Sequence, residues 1–104
     1  MANYLLAYKG GGMAQTPQEQ EKQMQAWGAW FGGMGDAVVD GGNPIGASKL
    51  VGSDGSVKDG TVSGITGYSV IRAANLDEAA TKAKGCPILA TGGSVEVHET
   101  FDAM

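Results

Sequence analysis

Residues 66–87 read TGYSVIRAANLDEAATKAKGCP, and this stretch decides how the chain folds. Positions 66–73 are rich in β-branched and apolar side chains, which predicts a strand. Asn75 stands where a helix N-cap belongs, with Glu78 three residues on in the capping-box position. Leu76, Ala79, Ala80 and Ala83 then recur at helical spacing, Glu78 and Lys82 are set for an i,i+4 ion pair, and Gly85 and Pro87 end the run. A strand thus feeds directly into a capped helix.

The first half of the chain has the same grammar. NYLLAYK (3–9) predicts a strand that Gly10, Gly11 and Gly12 halt. Thr16, Pro17 and Glu19 form a helix start: a Thr cap, Pro at the first helical position, and an acid three residues after the cap. Met24, Trp27, Phe31 and Met34 make one apolar stripe with Trp30 at its edge. Gly28, Gly32 and Gly35 lie beside it. Each glycine inside a helix costs about 1 kcal/mol against alanine, so these three predict the close approach of a backbone, a ring or a ligand. Next, DAVVDGGNPIGASKLV (36–51) reads as a short apolar strand, a turn at Asp40 to Pro44 and an extended stretch to Val51, after which Ser53, Asp54 and Gly55 turn the chain back. GGSVEVHETF (92–101) alternates apolar and polar residues and supplies a last strand.

The predicted order is strand, helix, strand, strand, helix, strand, the ferredoxin-like or split βαβ plan: an α+β subunit with two helices on one face of an antiparallel sheet. Its first and third strands do not alternate. Tyr4, Leu5, Leu6, Ala7 and Tyr8, and Tyr68, Val70 and Ile71, offer apolar groups to both faces. Something must cover the face opposite the helices, and the simplest cover is a second copy packed sheet to sheet, so the sequence predicts a homodimer.

Bulk properties bound the function. The 104 residues fit one domain, 1–104, with a single core. The formal charge is −4 and the Lys and Arg residues are scattered, which argues against a nucleic-acid backbone as partner. The start MANYLLAYK has no basic segment before its short apolar run and reads as a strand rather than a signal peptide. The uncharged stretch 23–35 is too short, and too rich in Gly and Gln, to span a bilayer. Cys86 is the single cysteine, which suits a reducing compartment, so a soluble, cytoplasmic protein without membrane partners is expected. With one Cys and one His a structural zinc site has no ligands, no calcium-loop spacing occurs, and YKGGGMAQ fails the dinucleotide pattern. No metal, nucleotide or other cofactor is implied.

AWGAWFGGMGDAVVDGGNP (26–44), GYSVIRAANLDEAATKAKGCP (67–87) and GGSVEVHE (92–99) resemble the YCII-related family, the YciI-like and DGPF-domain proteins, over about Tyr4 to Glu99. The resemblance implies a ferredoxin-like subunit in a dimeric α+β barrel. For function it implies less: an enzyme role is suspected for some members and a link to sigma-factor regulation for others. Two departures matter. The helical histidine of YciI-like members has no counterpart in the first helix, and SDGSVKDG (53–60) replaces the Asp-Gly-Pro-Phe stretch. Neither set of suspected site residues carries over.

Candidate chemistry therefore comes from the residues themselves. His98, the only histidine, lies beside Glu96 on one face of the last strand and has the chemistry of a general base; equally, charges at a sheet edge block unwanted pairing. Asp40 and Asn43 in the DGGNP loop belong in turns by their own backbone bonding, or else Asp40 orients a substrate or His98 while Asn43 and Ser48 add hydrogen bonds. Trp27 and Trp30 suit a core, a dimer interface or the wall of a small-molecule pocket. Cys86 reads as a small buried hydrophobe. Two functions stay open: a small-molecule binder or enzyme with a pocket in a dimeric barrel, or a non-catalytic interaction module.

Overall fold

Thr16 and Asn75 each stop an extended chain and start a helix. In the computed structural model, which describes residues 2–12, 14–60 and 63–102, Thr16 Oγ1 accepts from the Glu19 N–H at 3.1 Å and Asn75 Oδ1 accepts from the Glu78 N–H at 2.8 Å. Of the expected domain 1–104, positions 1, 13, 61, 62, 103 and 104 lie outside the described residues. Helix α1 spans Pro17–Met34 and α2 spans Leu76–Ala83. Each N3 glutamate also reaches back one residue past its cap: Glu19 Oε2 accepts from the Gln15 N–H and Glu78 Oε1 from the Ala74 N–H. The expected Glu78–Lys82 ion pair does not form, because the Glu78 carboxylate turns back to this N-terminal N–H.

The strands are β1 (Ala2–Lys9), β2 (Val38–Asp40), β3 (Lys49–Val51), β4 (Val57–Asp59), β5 (Ile65–Ala73) and β6 (Ser94–Glu99). The chain is α+β. Four strands form one antiparallel sheet in the order β2-β5-β1-β6, and β3 and β4 form a separate two-stranded hairpin around the Ser53–Gly55 turn. The extended stretch predicted up to Val51 is thus split: its end leaves the sheet and pairs with Val57–Asp59, a segment the sequence reading treats as merely polar.

Tyr4, Leu6, Tyr8, Ile71 and Ala73 pack with Ala79, Ala83, Cys86 and Ile88, and Trp27, Trp30 and Met34 of α1 and Val95 and Val97 of β6 lie against them. Both helices therefore cover one face of the sheet. Among the described residues no helix covers the other face, on which Ala7 is buried and Leu5, Tyr68 and Val70 are half-buried. Cross-strand register puts Asn3, Leu5, Ala7 and Lys9, Tyr68, Val70 and Arg72, and Glu96 and His98 on it. The molecule is 18 Å across its thinnest direction, room for a sheet and one layer of helices.

No residue of α1 is fully buried, so the helix rests on the core by its Trp27, Trp30, Phe31 and Met34 edge alone. Met24, the start of the predicted stripe, is exposed. The close approach predicted at Gly28, Gly32 and Gly35 is absent: a Cβ at any of them would meet nothing within 4 Å among the described residues. The approach occurs instead at Gly85, where a Cβ would come 3.1 Å from Trp30 Cδ1.

Candidate functional site

The rings of α1 wall a cleft against the sheet. Tyr8 and Trp27 meet edge to face at 5.1 Å, Trp27 and Trp30 at 5.7 Å, and Phe31 lies beside both indoles. Between this cluster, the loop that follows β2 and the start of β5 lies a cavity of about 500 Å³, bounded among others by Tyr8, Met24, Trp27, Phe31, Asn43 and Ser69. None of its lining side chains carries a charge. A second, wider hollow of about 1080 Å³ adjoins it, reaching Trp30, Cys86 and the Gly10–Gly12 loop, with Trp27 lining both.

The loop is held close by glycine. Gly42 has φ +73°, and a Cβ there would run into the Tyr68 carbonyl, so only glycine lets residues 41–44 lie along the β5 edge. Asp40 Oδ1 accepts from the Gly42 N–H at 2.8 Å, which closes the turn. Ile45 and Tyr68 tie the loop to β5 through the Ile45 N–H to Thr66 O and the Tyr68 N–H to Asn43 O. The Asn43 side-chain amide has no hydrogen-bond partner among the described residues and lines the cavity.

At the floor runs a chain of hydroxyls. Tyr8 Oη donates to Ser69 Oγ at 2.7 Å, and Ser69 Oγ donates to the Gly41 carbonyl at 2.7 Å. Among the described residues Ser69 is the one buried polar residue of the core, and burial pushes the Tyr8 hydroxyl up to about 12, against the pull of its bond to Ser69, so the phenol stays neutral. Sequence reading missed this pair. Its one trace is Ser69, a polar residue between Tyr68 and Val70 on a buried strand, which needs a partner.

The candidate residues named from sequence divide between the two faces of the sheet. Trp27 and Asn43 line the cavity and Trp30 the hollow beside it. Trp30 also has a structural duty, since its Nε1–H donates to the Lys82 carbonyl at 3.0 Å and so ties α1 to the end of α2. Ser48 lines neither space; its carbonyl accepts from the Gly60 N–H at the base of the β3–β4 hairpin.

Glu96 and His98 lie on the face that no helix covers. Glu96 Oε2 receives Lys9 Nζ at 2.9 Å and Oε1 receives His98 Nε2 at 3.1 Å. Lys9 first, then His98, hold the Glu96 carboxyl below the usual carboxylate range. A carboxylate only accepts, so His98 Nε2 is the donor in this contact. Asp40 is remote from this group in one chain. Asp40, Val70, Leu5 and His98 follow one another across β2, β5, β1 and β6, a span of about 14 Å at ~4.8 Å per strand step.

Cys86 is 3% exposed, and burial pushes its thiol up to about 11, the setting of an unreactive core residue. Among the described residues no group of three or more His, Cys, Asp and Glu could hold a metal ion, and no helix is long and apolar enough to cross a membrane. Compared with models of known protein families the chain matches none, and it matches none of the curated proteins compared with it.

Proposed function

We propose that the protein is a small-molecule binder whose ligand occupies the uncharged cavity between α1 and the sheet. One observation carries this reading: about 500 Å³ of aromatic-walled space, within the ~300–1,000 Å³ of small-molecule sites, with the uncommitted Asn43 amide at its edge. A core that needed no ligand would close over such rings. The α1 helix has no fully buried residue, so its aromatic edge stays open to an occupant.

The subunit in this reading is ferredoxin-like and of the YCII-related type, and it works in the cytosol as a homodimer. The strand order β2-β5-β1-β6 and the quoted sequence resemblance support the first part. The face that no helix covers supports the second. Leu5, Ala7, Tyr68 and Val70 form an apolar centre, with Arg72, Lys9, Glu96, His98 and Asp40 around it. A second copy turned about an axis along the strands lays β2 over β6, and so brings Asp40 to the row of His98 of the partner subunit.

The Glu96–His98 contact favours a second reading, an enzyme in which His98 Nδ1 is the base in a space between two sheets.

Binding is tested by following the Gly42 and Tyr68 backbone N–H signals in NMR while neutral aromatic fragments are added. Saturable shifts that disappear in Trp27→Leu support the cavity; a flat response across the panel overturns it. Sedimentation equilibrium tests the dimer.

A further inference from the structure

Resting on the cavity reading, we infer that the ligand is a neutral aromatic molecule that donates a hydrogen bond, through an O–H or N–H, to Tyr8 Oη. The polarity of the hydroxyl chain decides this. The Gly41 carbonyl is an acceptor only, so the single proton of Ser69 must go to it. Ser69 then has only lone pairs for Tyr8, which commits the phenol proton to Ser69. What remains on Tyr8 Oη is a lone pair.

The floor of the cavity therefore offers an acceptor and no hydroxyl donor. Tyr8, Ser69 and Gly41 all line the cavity, and of the two hydroxyl residues in this chain of bonds only Tyr8 has any exposure, 5% against none for Ser69, while the Thr66 hydroxyl, also on the lining, is committed to the Tyr8 and Gly10 carbonyls. The rest of the wall narrows the class. Trp27, Phe31 and Met24 offer ring faces and a thioether, while no side chain offers a countercharge to an anion or a cation. Asn43, with both amide donors and a carbonyl uncommitted, takes whichever polar group lies at the outer end. A phenol or an indole fits these demands. A phosphate, a carboxylate or an ammonium does not.

Three probes separate this inference from the reading beneath it. Para-cresol carries the donor, para-methylanisole is nearly the same shape with the proton replaced by a methyl group, and para-hydroxybenzoate adds a charge. Dissociation constants come from the Trp27 indole shift on the full chain. Para-cresol is expected to bind about fivefold tighter than the ether, the worth of one neutral hydrogen bond, and the benzoate weakest. Ser69→Ala frees the Tyr8 proton to donate outward, so in that variant the ether gains on the cresol. Equal binding of cresol and ether to the unaltered chain overturns the donor inference and leaves the cavity standing. If none of the three binds, cavity and inference fall together. A ratio that Ser69→Ala leaves unchanged also overturns the inference, because the discrimination then owes nothing to the hydroxyl chain.

Discussion

Asp40 and His98 stand at the two ends of one row across the sheet, with Val70 and Leu5 between them. The row lies on the face that neither helix covers. Within one chain the two cannot act on each other directly, so Asp40→Asn and His98→Gln should be additive within about 0.5 kcal/mol in any monomeric form. In a sheet-to-sheet dimer they approach across the interface and should couple beyond that limit. Leu5→Lys at the centre of the row is expected to give the monomer of the proposed dimer, since it would bury a charge against the apolar centre of the partner sheet. Sedimentation velocity checks the shift in mass, and a double-mutant cycle in each background checks the coupling.

Glu96 links stability to acid. Hydrogen bonds from Lys9 and then His98 depress its carboxyl in the folded chain, while in the unfolded chain it returns to the ordinary glutamate value of ~4.3. A group depressed on folding stabilises the protein above its unfolded pKa, and that contribution is lost as pH falls through the folded value. Urea melts of the native chain and of Glu96→Gln should therefore differ at pH 7 and converge well below ~4.3. A gap that stays constant down to pH 2 would assign the effect to packing and not to charge.

How much of this was legible in the sequence depends on range. Caps are local, so Thr16 with Glu19 and Asn75 with Glu78 announce both helices within four residues, and the structure forms each bond. Val57–Asp59 pairs only because the Ser53–Gly55 turn presents it to Lys49–Val51, and three residues are too few for a periodic signal. The alternation in SVEVHE places Val95 and Val97 on the helix side and Glu96 and His98 opposite. The cavity is different in kind. Tyr8 and Ser69 are 61 positions apart, and what joins them is register across β1 and β5, which no local pattern encodes. Asp40 and His98 share a face for the same reason, yet their distance depends on the strand order between them.

The hydroxyl chain predicts unequal costs for its two members. Ser69→Ala leaves the Gly41 carbonyl without its donor and the buried Tyr8 phenol without its acceptor, an expected loss of about 1–3 kcal/mol. Tyr8→Phe leaves Ser69 still donating to Gly41 and should cost less, about 0.5–1.5 kcal/mol. Guanidinium unfolding of the two variants beside the native chain gives the order directly. The reverse order would mean that Ser69 does not bridge them in solution.

The glycines give the sharpest contrast. Gly28 and Gly32 sit inside α1 with open space where a side chain would project, so alanine at either should raise stability by about 1 kcal/mol through helix propensity alone. Gly42 is the opposite case. Its positive φ and the Tyr68 carbonyl beyond it make Gly42→Ala strained and crowded at once, and that variant should lose well over ~1 kcal/mol and loosen the loop that carries Asn43. Thermal unfolding of the three single variants decides between an α1 surface that faces water and one that meets another molecule. A gain at Gly28 and Gly32 means the helix surface is free. A loss there, in a dimer that dissociates on the same substitutions, would move the subunit contact from the sheet face to α1 and place the close approach where the glycines of the sequence first predicted it.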